Sequence, residues 1–371
     1  MGNGDMALLK KLPPPFCHTA PWVILLVVEC FGGCFALPTT NIPPTATEVG
    51  RSYINPVLMY VPPECVVDAL SPDREWVFCT VYAPGREMAP GHWARRLDEG
   101  AEWNCLLCGK EFEGMVGDTR PVEDWPGMPL KYGLVVSNTI WLIDLLNPGQ
   151  RDRISAGEGI LYAIWAPDGS AIAAVMRDYR LLLVATDGSG HRILAEGPEI
   201  FSHYGDLVWS PDGQRLYITK LAADTWGKEV WSIEVRNGES RKIFERDSVY
   251  LMLLTINRQG ILLCSEPVHD QGIEKIRFWV LEGNKVVGSV SIEGHAIYGK
   301  PIWSPDDRKV AVLVASRNGV ERLVEVDITS GRVRTVPWSE HMKIARILSW
   351  QPEGIIVATH RGTIELIQIS E

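Results

Sequence analysis

Three histidines stand at similar distances from three tryptophans. His203, His295 and His341 precede Trp209, Trp303 and Trp350 by six to nine residues. Imidazoles brought to one opening could bind a transition metal, or act as acid and base near neutral pH. Histidine is equally at home in any wet loop, and the chain has eight. Cysteines offer a second chemistry. Cys65 and Cys79 flank Ser71-Pro72-Asp73 almost symmetrically, and Cys105-Leu-Leu-Cys108 is a C-x-x-C. Disulfides, a zinc site and free thiols all fit these four, because one C-x-x-C without a second copy is only moderately specific. Cys264, within Ile261-Leu-Leu-Cys264, reads as a buried small hydrophobe. Motifs for nucleophilic catalysis are missing. Gly188-Ser189-Gly190 lies in a hairpin turn without the strand-to-helix setting of a nucleophile elbow, and there is no phosphate loop and no H-E-x-x-H.

The elements that position these residues follow from composition and spacing. The chain has 371 residues, 46% apolar and 22% charged, with 34 Gly, 25 Pro and 14 Trp. That is a turn-rich globular chain with enough apolar surface to offset chain entropy. A net charge of −10 and the lack of any long basic cluster exclude backbone-driven nucleic-acid binding.

The N-terminus reads as a targeting segment. Lys10 and Lys11 precede the apolar run Trp22–Val28, which leads to Phe31-Gly-Gly-Cys34. Cysteine after two glycines resembles the lipobox of bacterial lipoproteins, which implies acylation at Cys34. Phe31 where Leu is usual, and Glu29 within the apolar stretch, depart from that pattern. An uncleaved anchor over roughly residues 16–37 is the rival, although Glu29 near its middle would cost up to about 3 kcal/mol. The Pro/Thr-rich residues 35–50 suit an extended tether. Residues 1–34 are thus expected as an export signal, 35–50 as a tether and 51–371 as the body, with an irregular insertion at about 83–124. Both readings place the body outside the cytoplasm, tied to a membrane by lipid or anchor.

The body is a repeat. Trp165-Ala-Pro-Asp-Gly169, Trp209-Ser-Pro-Asp-Gly213, Trp303-Ser-Pro-Asp-Asp307 and Trp350-Gln-Pro-Glu-Gly354 recur, with weaker copies at Leu70, Trp125 and Ile256. The good copies are spaced 44, 94 and 47 residues apart, and 94 is twice 47. After each copy come two apolar runs, a turn such as Asp187-Gly188 or Asn237-Gly238, and a more polar run. Asx-Gly turns between apolar runs mark hairpins. The unit is therefore four antiparallel strands in about 44–47 residues, a β-propeller blade. Seven anchors predict seven blades, with six or eight open because residues 83–130 are irregular. Two strands follow Trp350 before the chain stops, so the N-terminal strand near Tyr53–Tyr60 is expected to complete the last blade and remove an exposed edge.

This period and the W-S-P-D-G phrase resemble the TolB-type propeller repeat, related in shape to WD-repeat propellers. The resemblance covers roughly residues 51–371 and implies an all-β propeller found both in binding proteins and as an accessory domain of enzymes. In the phrase, Trp165, Trp209, Trp303 and Trp350 are expected to pack between blades, and Pro, Asp and Gly to shape the turn. The functional expectation is a non-catalytic, monomeric scaffold without cofactor that binds a protein or cell-envelope component. A propeller enzyme of sugar-lyase or glycosidase type, with its site at the channel mouth, is the alternative. Clustered His, Asp, Glu, Arg and Tyr at that mouth favour chemistry; aromatics with a polar rim favour a protein partner.

Overall fold

A computed structural model describes residues 57–82, 88–98, 100–108, 119–124, 126, 130–136, 139–154, 159–197, 207–221, 228–248, 250–316, 321–338 and 343–369. Seven four-stranded antiparallel sheets make up the described body. Blade 1 holds β2 (Cys65–Leu70), β3 (Trp76–Val81), β4 (Gly91–Arg96) and β5 (Asn104–Cys108). Blade 2 holds β6 (Thr119–Pro121), β7 (Lys131–Val136), β8 (Thr139–Asp144) and β9 (Arg151–Ile154). Blade 3 holds β10 (Ile160–Trp165), β11 (Ala171–Met176), β12 (Arg180–Ala185) and β13 (His191–Glu196). Blade 4 holds β14 (Leu207–Trp209), β15 (Arg215–Leu221), β16 (Lys228–Glu234) and β17 (Ser240–Arg246). Blade 5 holds β18 (Met252–Ile256), β19 (Ile261–Asp270), β20 (Ile273–Glu282) and β21 (Lys285–Glu293). Blade 6 holds β22 (Ala296–Trp303), β23 (Lys309–Ala315), β24 (Glu321–Asp327) and β25 (Val333–Thr335). Blade 7 is β26 (Ile344–Gln351), β27 (Gly354–Thr359) and β28 (Thr363–Gln368), completed by β1 (Val57–Tyr60).

The N-terminal strand thus closes the ring, with Tyr60 opposite Thr363 and Val57 opposite Glu365. Residues 83–124, expected as an irregular insertion, contain β4, β5 and β6 and so complete blades 1 and 2. Their strands, GHWARR, NCLLC and TRP, lack the longer apolar runs that marked the other blades.

Apolar clusters join every neighbouring pair of blades. Met59, Ile356 and Ile364 of blade 7 meet Val77 and Cys79 of blade 1, and Ala311 and Leu313 of blade 6 meet Ile355 and Val357 of blade 7. Second strands are buried on both faces. Along β23, Val310, Val312 and Val314 face blade 5, while Ala311 and Leu313 face blade 7. This period-two division explains why such strands read as unbroken apolar runs.

Each anchor tryptophan packs on the preceding blade. Trp165 is 1% exposed among Ile140, Leu142 and Tyr132 of blade 2, and Trp209 is 5% exposed beside Ala171 and Leu181 of blade 3. A Cβ at Gly133 on β7 would stand 3.0 Å from the Trp165 indole nitrogen, so glycine makes room for that ring. Trp303 and Trp350 are half-buried at the equivalent places. The turns behave as the phrase implies. The amides of Trp76, Arg215 and Lys309 donate to Ser71, Ser210 and Ser304 Oγ at 2.8, 2.8 and 2.9 Å. Those hydroxyls donate in turn to Asp73, Asp212 and Asp306. The serine hydrogen bond, above all, holds the Asp212 and Asp306 carboxyls below their ordinary pKa. In the degenerate copy, Asn257 Oδ1 alone accepts from Gln259 N at 3.0 Å and Ile261 N at 2.8 Å.

These turns, with those joining third to fourth strands, occupy one rim, called here the turn rim. Second-to-third-strand turns and the passages between blades form the opposite crossover rim.

Candidate functional site

The two rims and the channel between them differ in chemistry. On the crossover rim, the exposed large side chains are mainly tyrosines. Tyr60 ends β1, Tyr82 follows β3, Tyr179 turns β11 into β12, Tyr250 precedes β18, and Tyr298 lies near the start of β22. Tyr60 is 73% exposed, Tyr250 60% and Tyr82 58%, with Met252 and Ile273 exposed beside them. Blade 5 rises above this rim. β18 begins at Met252, opposite Ser265, whereas β19 continues five residues further to Asp270. The raised hairpin carries Ile273 at its tip.

His295 lies at the base of this hairpin, between β21 and β22. Its Nδ1 is 3.1 Å from Glu274 Oε2, and His269 Nε2 is 3.5 Å from Glu274 Oε1. The His295 amide donates to Ala315 O at 2.7 Å. His295 is thus tied to a carboxylate of blade 5 and the backbone of blade 6. His203, His341 and the lipidation candidate Cys34 lie outside the described residues, as does Trp125. Among the described residues no three His, Cys, Asp or Glu side chains gather as metal ligands.

The cysteines fall in blade 1 as two pairs. Cys65 on β2 and Cys79 on β3 stand at disulfide distance with Cα atoms 5.7 Å apart, and Cys105 and Cys108 on β5 do likewise with Cα atoms 6.0 Å apart. Cys264 is buried on β19 and belongs to neither pair.

The channel holds charges that the sequence did not single out. Lys300 Nζ on blade 6 donates to both oxygens of Asp124 on blade 2, at 2.6 and 2.7 Å. These blades are not neighbours, so the pair spans the channel. Burial pulls the Lys300 ammonium down, but Asp124 and Glu123 together raise it above its ordinary pKa. Glu123 is also held by Tyr162, whose hydroxyl donates to Oε2 at 2.7 Å, and its backbone pairs with Ala163 and Trp165.

A second network lies nearby. Asp68 is the extra residue of a bulge in β2, which turns its carboxylate towards blade 2. Thr80 donates to Asp68 Oδ2 at 2.6 Å, leaving His92 Nδ1, 2.9 Å away, to donate to the hydroxyl oxygen. Burial raises the Asp68 carboxyl to about 6 against the opposing effects of Thr80 and Arg346. Burial likewise lowers His92 to about 4. The Arg346 guanidinium on blade 7 donates to the Asp68 carbonyl oxygen, joining blades 7 and 1. The groups of both networks are engaged by neighbouring side chains, and His92, on the third strand of blade 1, is neutral and only 2% exposed. Such an arrangement braces the ring.

The turn rim offers a shallow depression of ≈ 320 Å³ across blades 5, 6 and 7, lined by Asn257, Arg258, Trp303, Asp307 and Trp350 among others. Its polar groups are also engaged. Arg258 Nε contacts Asp307 Oδ2 at 3.2 Å, and Asn257 Nδ2 donates to Asp307 O at 3.3 Å.

No family model and no curated protein matches the sequence. Solved structures do. A chain of the mitotic checkpoint complex is similar at a TM-score of 0.58 and 13% identity, over 92% of this chain and 100% of that one. The β-propeller domain of Cps50 (Swd1) from Myceliophteria thermophila is similar at 0.55 and 11%, over 87% and 100%. The likeness is one of fold. TolB from Acinetobacter baumannii is also among the neighbours, at 0.42 and 12%, over 82% of this chain and 79% of that one. The seven four-stranded sheets are the propeller expected from the repeat, and its chemistry rests on its own residues.

Sequence reading missed the tyrosines and the cross-channel pair. The tyrosines fall just outside the repeated phrase, at strand ends, where a signal was available in hindsight. The Lys300–Asp124 pair joins residues 176 apart, for which no local signal exists.

Proposed function

We propose that the protein is a non-catalytic binding propeller, held outside the cytoplasm at a membrane through its N-terminal segment, that docks a protein partner on its crossover rim. One observation carries this reading: the exposed tyrosines, with Met252 and Ile273, gather on that rim. Tyrosine supplies large, rigid contact area at low entropic cost and a hydroxyl for a wet interface, and aromatic residues are enriched in binding hot spots. Rigid strands beneath hold these groups ready for a partner. The enzyme reading draws on the channel carboxylates and cations, but those are engaged with each other rather than held open for a substrate. The N-terminal strand supports the orientation. β1 ends at the crossover rim with Tyr60, so its Val57 end lies at the turn rim.

The test is a triple variant, Tyr82→Ser, Tyr250→Ser and Tyr298→Ser, compared with a turn-rim triple, Asp187→Ser, Asn237→Ser and Arg258→Ser. Partners are cross-linked in native membranes and quantified by mass spectrometry. Loss of a partner from the tyrosine variant only, with melting temperature unchanged, is the expected result. Equal recovery by both variants would refute docking at this rim.

A further inference from the structure

The two cysteine pairs lie on one face of blade 1 but in different settings. Strand pairing sets Cys79, Trp93 and Cys105 in one row across the sheet, and Cys65, Val81, Gly91 and Cys108 in the next. The inner pair is sealed. Cys65 is 8% exposed and Cys79 1%, and the Met88 sulfur lies 3.5 Å from Cys65 Sγ. The outer pair stands on β5, the last strand of its sheet, and both of its cysteines are half-buried. Residues three apart on a regular strand point to opposite faces. In β5, however, Trp93 is opposite Cys105 and His92 is opposite Leu107, so Leu106 is an extra residue and Cys105 and Cys108 come to the same face. Leu106 and Leu107 turn the other way, into the contact with blade 2, and are buried there. Gly91 completes the arrangement. A Cβ there would lie 2.7 Å from the Cys108 Cβ, so glycine leaves room for that side chain.

We propose that Cys105–Cys108 is an exchangeable disulfide, reduced by a dithiol protein, whereas Cys65–Cys79 is a structural one. A cross-link stabilises a fold through the loop it closes, and longer loops gain more. Cys65 and Cys79 are 14 residues apart and Cys105 and Cys108 only 3, so the outer pair adds little to the fold. Its placement serves access instead. Exchange needs a thiolate to reach one sulfur, which a half-buried pair on an outer strand allows and a sealed pair does not. The step balances between the two dithiols. One thiolate of the partner attacks a sulfur of the pair, the S–S bond breaks, and the other cysteine leaves as a thiolate that takes up a proton. The partner's second thiolate then attacks the partner's own sulfur in the mixed disulfide, and the remaining cysteine is released and protonated. Two electrons and two protons pass to this chain, and the partner ends as a disulfide. A monothiol lacks the second thiolate, so the freed cysteine close by expels it and restores the pair. This site is independent of the tyrosine rim.

The purified full chain provides the test. It is incubated with thioredoxin kept reduced by its reductase and NADPH, and free thiols are blocked with iodoacetamide. The chain is then unfolded, fully reduced and blocked with N-ethylmaleimide, and mass spectrometry reads each cysteine separately. Cys105 and Cys108 should carry N-ethylmaleimide before thioredoxin and iodoacetamide after it, reacting on the order of tenfold faster than Cys65 and Cys79. Reduced glutathione at the same thiol concentration should leave the pair oxidised. Replacing Cys105 and Cys108 together by Ser should leave the melting temperature nearly unchanged, while replacing Cys65 and Cys79 together should lower it. Equal rates for the two pairs, lasting protection of Cys105 and Cys108, iodoacetamide on them before any thioredoxin, equal reduction by glutathione, or the reverse order of melting temperatures would overturn the proposal.

Discussion

The turn rim and the crossover rim are made from the same seven blades, yet they are built differently. On the turn rim, serine and aspartate side chains recur in register, close the turn over a tryptophan and engage their own backbone. Little is left over for a partner. On the crossover rim the connections differ in length from blade to blade, one hairpin overhangs by five residues, and tyrosines stand in solvent. Stability is concentrated under one rim and accessible recognition chemistry on the other. Local hydrogen bonding that satisfies itself makes a surface inert, while strand ends free of that constraint can vary.

The sharpest way to break this division is to cut into both rims and compare. Trp209→Ala should cost about 3–5 kcal/mol, because it empties space between blades 3 and 4 that cannot fully collapse. Tyr250→Ser on the crossover rim should stay within about 0.5 kcal/mol, as exposed positions do. Denaturant unfolding measures both. Similar losses would mean that the crossover rim is part of the structural core.

The Asp68–Thr80–His92 network of blade 1 lies between the rims and should show its own behaviour through pH. Asp68 is raised in the fold, so its contribution is present below about pH 4 and is lost as pH rises through about 6. His92 is lowered, so its contribution is present above about 6.5 and is lost as pH falls through about 4. The two oppose each other in one window, each worth roughly 2–3 kcal/mol. In Asp68→Asn only the histidine remains, so the variant should gain stability at neutral pH and lose roughly 3 kcal/mol between pH 6.5 and 4. Unfolding titrations with parallel curves for variant and parent would show that the pair is not coupled to folding.

The smallest effects test the turn itself. Gly213 sits at φ 69°, whereas Arg74 holds the equivalent place at φ 62°. Gly213→Ala should lose about 1 kcal/mol and Arg74→Gly should gain somewhat less, because only glycine adopts this region freely. Melting temperatures of the two variants moving in the same direction would contradict a shared turn geometry.

Much of this architecture was legible beforehand because its causes are local. Trp165 and Trp209, followed by turn residues and two apolar runs, specify a blade within some 45 residues. Even the poor copy at Ile256 kept the phase, since Asn257 satisfies the amides that serine and aspartate satisfy elsewhere. Residues 83–124 were harder, as β4 and β5 include His92, Arg95 and Asn104 where other blades have apolar runs. His295 lay where its spacing put it, at a blade-to-blade passage. Its attachment to Glu274 came from the overhang of β19 and β20, which no turn signal announced.

By itself, the sequence determined the blade and the strand that closes the ring, and it pointed to seven blades while leaving six or eight open; the structure has seven. Backbone preference, turn chemistry and period-two burial act over a few residues and repeat with the chain. Only the tertiary structure decided that Asp124 meets Lys300 across the channel, that Asp68 comes to lie beside Arg346, and that five tyrosines share one rim. Those neighbours lie far apart along the chain, and their meeting depends on the ring closing at one radius, set by the packing of all seven blades together.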